Sequence, residues 1–149
     1  MKTTAFAGMV AMAALATPVQ AMEHKTVIEH PAGQIAANYT AASRIEMQQV
    51  GMAGGAGRPS SQRCVWTVSL SVERDANVGG KLQAKRSMTR TNVLRGSAPG
   101  WCSERGSGID RMVEARRDEL RGAMMALVAQ DRDIVVAEAD NAHAKAREG

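Results

Sequence analysis

The sequence predicts an α+β fold: three or four antiparallel strands with one long C-terminal helix packed on one face of the sheet. Three observations carry that reading. Apolar and polar residues alternate around 35–48 and again over 63–73, the period of a half-buried strand. From Ile109 the apolar spacing changes to three and four, the period of a helix face. Gly- and Pro-rich segments stand between these stretches as turns.

The first β-prone segment, Lys25 to His30, is short and is closed by Pro31 and Gly33. In the next, Ile35, Ala37, Tyr39, Ala41, Ile45 and Met47 share one face, with Asn38, Thr40, Arg44, Glu46 and Gln48 on the other. Gly51 to Pro59 holds four Gly and one Pro and reads as a loop. The strongest strand follows, with Cys64, Trp66, Val68, Leu70 and Val72 inward. A slip of one residue would expose all five, so its register is firmly set. Asp75 to Gly80 is expected as a hairpin connection. Residues 81–94, polar on both faces with Lys85, Arg86 and Arg90, read as an edge strand defended against unwanted pairing.

The C-terminal helix is expected to begin after Ser107, with Ser107 and Asp110 as a capping box. Its stripe is Ile109, Met112, Val113, Leu120, Met124, Leu127 and Val128. Gln130-Asp131-Arg132-Asp133 interrupts the stripe before Ile134 and Val135 resume it. After Val136 the chain is Ala-rich and charged, so 137–149 is expected as a solvated helical tail.

Residues 1–21 have the three parts of a secretory signal peptide: Lys2, an apolar run from Ala5 to Ala16, and small residues up to Ala21. The run is too short for a membrane span, which needs about 20 apolar residues. Cleavage after Ala21 leaves one small domain, 22–149, with a net charge of +3. Leu, Ile and Val then make up only about 16% of the chain, thin for a globular core. Reinforcement is expected from a Cys64–Cys102 disulfide, the simplest fate of two cysteines in an oxidising compartment. Closing a loop of that length contributes roughly 3–4 kcal/mol. Twenty-six Ala, and fourteen Arg against five Lys, point to a bacterial chain and so to the periplasm or the medium.

Catalytic patterns are scarce. Gly54-Gly55-Ala56-Gly57 lacks the Lys-Ser/Thr and following helix of a phosphate loop. Gly106-Ser107-Gly108 lacks the spacing of a nucleophile elbow. Nucleic acid is a poor fit, because few aromatics remain for stacking and export removes the usual target. One metal constellation arises on processing. A new terminus Met22-Glu23-His24 offers an amine, two backbone amides and an imidazole to one Cu(II) or Ni(II). No other cofactor is indicated, and His143 reads as a solvated residue of the tail. The expectation is a small exported, non-enzymatic domain that binds a protein or an envelope component. The alternatives are an enzyme with a dispersed site and the metal-binding terminus. A concave pocket with converging titratable groups would favour the enzyme; an exposed apolar helix strip would favour the binding module.

Overall fold

A computed structural model describes residues 21–149; the leader reading falls on residues 1–20, outside them, and on Ala21 at their edge. Four strands, β1 (Met22–Ile28), β2 (Ile35–Val50), β3 (Arg63–Val78) and β4 (Leu82–Pro99), form an antiparallel meander in that order. Two helices follow, α1 (Cys102–Ala115) and α2 (Arg117–Glu148), and both pack on one face. The expected α+β class and antiparallel sheet are therefore present, with the sheet at its larger strand count.

β2 and β3 pair over their full length, from Ile35 opposite Val78 to Val50 opposite Arg63. Sixteen residues in a strand span roughly 54 Å, and the 32 residues of α2 span roughly 48 Å. One helix thus covers most of the length of the sheet. All five inward residues of β3 are buried in the anticipated register. The strand continues through 75–78, so the connection shrinks to Gly79-Gly80-Lys81. Both glycines have positive φ, 57° and 74°, a conformation costly for any side chain. Gly79 also abuts Gly33 of the neighbouring turn, where a Cβ on Gly33 would lie 2.8 Å from Gly79 Cα.

β4 is an edge strand, as its charge pattern indicates. Its ladder with β3 is interrupted between Val68 and Leu70, where Thr91, Asn92 and Val93 face Ser69 alone. Asn92 sits at φ 53° in this bulge, a conformation Asn tolerates better than most residues. Beyond it, Gly96 faces Trp66. A Cβ there would stand 2.4 Å from the indole Cζ2, so the missing side chain makes room for the largest residue of the core.

The helical region departs from expectation in four respects. It begins at Cys102, five residues before Ser107, which lies inside α1 and caps nothing. The cap comes from β2: Gln49 Oε1 accepts the Cys102 N–H at 2.8 Å, while Gln49 Nε2 donates to the carbonyls of Arg63 and Gly100. A side chain distant in sequence thus takes the role assigned to Ser107. Secondly, the helix breaks at Arg116, where φ −104° and ψ 22° end α1. Arg116 then grips Glu119 in the first turn of α2 through two bonds of 2.7 Å. Thirdly, Met112 belongs to the solvent side of α1, 40% exposed, because the break re-aims the stripe onto Ile109 and Val113. Met124 is buried as expected. Lastly, the solvated tail starts later than 137, because Glu138, Ala139 and Asp140 still engage the sheet and the β1–β2 turn.

Candidate functional site

The polar residues best held in place lie at the interface of sheet and helix. Tyr39 on β2 and Arg74 on β3 face each other across the ladder, and both point inward because they continue the alternation of the buried faces. Asp131 on α2 falls in phase with Met124, Leu127, Val128 and Val135. The fold therefore brings the three together. The Tyr39 hydroxyl donates to Asp131 Oδ2 at 3.0 Å, and Arg74 Nη1 donates to the same oxygen at 2.9 Å. Arg74 Nη2 reaches Glu138 Oε2, two helical turns beyond Asp131. Arg86 on β4 sets its Nε 3.5 Å from Asp131 Oδ1.

Tyr39 and Asp131 are wholly buried and Arg74 is 1% exposed. Two guanidinium groups oppose two carboxylates, so the cluster is neutral as a whole, the condition under which burying charge is tolerable. Burial, then the bond to Asp131 and its negative charge, push the Tyr39 phenol well above its usual range. The chemistry of these groups is that of a clamp fixing α2 on the sheet.

A second tie lies nearby. The Ala32 N–H donates to His30 Nδ1 at 3.1 Å, which leaves the ring proton on Nε2, 2.9 Å from Asp140 Oδ1. The β1–β2 turn is thus fastened to the far end of α2. At the opposite end of the sheet Cys64 and Cys102 are bonded, joining β3 to the first residue of α1. Trp66 lies buried two residues along β3 from Cys64, while Trp101, before the helix, is 47% exposed.

Met22, Glu23 and His24 are the first three residues of β1, opposite Ala41, Thr40 and Tyr39. Met22 is buried and His24 lines a hollow of about 250 Å³ between β1 and α2, with Tyr39, Met125 and Arg132. A four-nitrogen metal plane would take the Glu23 and His24 amides out of that strand, so chelation competes with β1 pairing. Among the described residues no group of three or more His, Cys, Asp or Glu side chains is placed to hold a metal ion. His143 is exposed near the end of α2.

The open face of the sheet carries a larger hollow of about 490 Å³, lined by Asn38, Thr40, Glu73, Arg74, Asp75, Lys85, Arg86 and Ser87. Its charged groups answer one another: Lys85 Nζ lies 3.5 Å from Asp75 Oδ2, both well exposed. Lys85, Arg86 and Arg90 line the β4 edge, and Arg95 follows beyond the bulge. Met112 and Met125 are the large exposed apolar residues of the two helices.

Edges differ sharply. β1 covers β2 only as far as Ala41. From Ala42 to Val50, β2 has β3 on one side and no described strand on the other. Among the described residues no helix is long and apolar enough to cross a membrane. The chain matches no protein-family model, no curated protein and no solved structure.

Proposed function

We propose that the mature chain is an exported, non-enzymatic binding domain of the bacterial periplasm or medium, and that its partner is a protein received along the open edge of β2. The observation that carries this is the nine-residue stretch Ala42–Val50, whose outward N–H and C=O groups have no described partner. An unpaired edge is a template for an added strand, in which main-chain hydrogen bonds supply affinity and alternate side chains supply selectivity. Export is supported by the leader pattern and by the Cys64–Cys102 bond, which belongs to an oxidising compartment. The buried cluster supports a binding role too, because its best-placed charges are spent on holding the helix.

Photo-crosslinking from the envelope fraction, with the disulfide intact, tests this reading. A crosslinking residue at Glu46 reports the edge; one at Glu73 reports the middle of the open face. Adducts from position 46 and none from 73 are expected. Adducts confined to 73, or absent from both, would overturn it. The enzyme reading has one observation in its favour, the open-face hollow with Glu73, Asp75 and Lys85, and adducts confined to 73 would revive it.

A further inference from the structure

We propose that the processed chain binds one Cu(II) at its new amino terminus, through the Met22 amine, the Glu23 and His24 amide nitrogens and the His24 imidazole. This rests on the export reading, since removal of the leader after Ala21 creates the amine. It does not depend on which partner the β2 edge receives.

The place of the histidine carries the argument. With His24 third from the amine, the four nitrogens close fused chelate rings around one ion and lie in a plane, the tetragonal arrangement that Cu(II) prefers. Uptake forms four Cu–N bonds. With the imidazole neutral it expels three protons to solvent, one from the ammonium and two from the amides. The two amide anions match the charge of the ion, so the plane is neutral. Arg132, which faces the same hollow from α2 beside the Tyr39 phenol of β2, therefore does not repel it.

The fold leaves these ligands free to rearrange. β1 lies at one edge of the sheet and pairs only with β2. In an antiparallel ladder alternate residues exchange bonds with their neighbour. Of the Glu23 and His24 amides, one thus points at β2 and the other away from the sheet. Chelation takes only one of the two out of the ladder, at the end of a strand, where fraying is easiest. The His24 ring is half-buried, 6.5 Å from that of Tyr39 between centres, and among the described residues its nitrogens make no hydrogen bond. His30 is engaged at both nitrogens, by the Ala32 N–H and by Asp140. His143 is exposed near the end of α2, remote in sequence from the amine. Against uptake stands the buried Met22 side chain, which must leave its place, so the folded chain binds more weakly than a free peptide of the same three residues. Release of Met22–His24 also bares Tyr39–Ala41, their partners on β2, and lengthens the open edge.

Copper titration of the exported protein, with its terminus read by mass spectrometry, tests the site. The terminus is expected at Met22. One equivalent of Cu(II) then gives a violet d–d band that grows as the pH rises from about 5 to about 8, while amine and amides give up protons. Zn(II), which has no preference for a plane, does not displace it. His24→Gln loses the band, as does a chain that retains Ala21 and so moves the histidine to fourth place; His143→Gln keeps it. Circular dichroism confirms the fold of each variant. With Ni(II), which favours the same plane, the β1-facing amides among Tyr39–Ala41 lose their protection from exchange. A terminus other than Met22, no band at one equivalent, a band that survives His24→Gln, or protection kept at 39–41 in the metal-loaded chain overturns the proposal. Adducts from position 46 do not depend on the metal. A missing band at a Met22 terminus therefore leaves the edge reading standing, whereas a retained leader removes the export on which both rest.

Discussion

Replacing Arg74 by Met tests the sheet-to-helix clamp most severely. The Arg74 side chain is fully buried and holds Asp131, also fully buried, at 2.9 Å, together with Glu138. Without Arg74, the Asp131 carboxylate keeps only the Tyr39 hydroxyl and the charge of Arg86 at 3.5 Å. Breaking a buried pair by removing one partner costs about 3–5 kcal/mol. Arg86 can swing toward the orphaned carboxylate, which places the expected cost near the lower end. That is a large share of the roughly 5–15 kcal/mol that holds a domain together. The double variant R74M/D131L removes both charges and should recover most of the loss, because an apolar pair of similar volume is often as stable as the ions. Guanidinium unfolding with the disulfide intact, followed by fluorescence of buried Trp66, gives both free energies. A single-variant cost below about 1 kcal/mol would refute the reasoning, because a desolvated partner cannot be left unpaired so cheaply. A double variant as unstable as the two single losses summed would refute it equally.

Three further outcomes follow from other contacts. Tyr39 is the only tyrosine, so absorbance near 295 nm reports it alone. With the native phenol raised and the unfolded one at about 10, the unfolded state binds fewer protons above that pH. Stability should then fall by about 1.4 kcal/mol per pH unit, with no tyrosinate signal before unfolding; a native titration near 10 would contradict the buried bond to Asp131. Replacing both cysteines by Ala should cost about 4 kcal/mol for the 38-residue separation, read by the same denaturant titration; an unchanged midpoint would remove the staple from the account. Gly96→Ala drives a Cβ into the Trp66 ring and should cost about 1–3 kcal/mol with a shifted Trp emission; a neutral result would mean that the indole does not lie over Gly96.

Much of the architecture was legible because period alone dictates it. Cys64 to Val72 could occupy only one face, and the turn glycines bounded their strands. Arg74 and Asp131 were missed for an instructive reason. Asp131 was read as interrupting the helical stripe, and Arg74 fell past the last residue assigned inward, yet each keeps phase with its apolar run: Arg74 falls two residues after Val72, and Asp131 lies three after Val128 and four before Val135. Two opposite charges, both in phase with facing apolar stripes, are a signal that periodicity could have delivered. The cap from Gln49 and the break at Arg116 were beyond such a reading. The first joins residues 53 apart, and the second follows from how α1 must turn to lay α2 across the sheet. The open edge was equally hidden, because it depends on the unequal lengths of β1 and β2 once paired.

The decisive measurement is residue-resolved amide exchange on 22–149 by NMR, at a concentration where the protein is monomeric. Over Ile35–Ala41, paired on both sides, every amide should exchange slowly. Over Ala42–Val50, slow and fast amides should alternate, the slow ones bonded to β3 and the fast ones facing water. Uniform protection across 42–50 in the monomer would mean that this edge is already covered, and the proposed docking of any strand along it would fail.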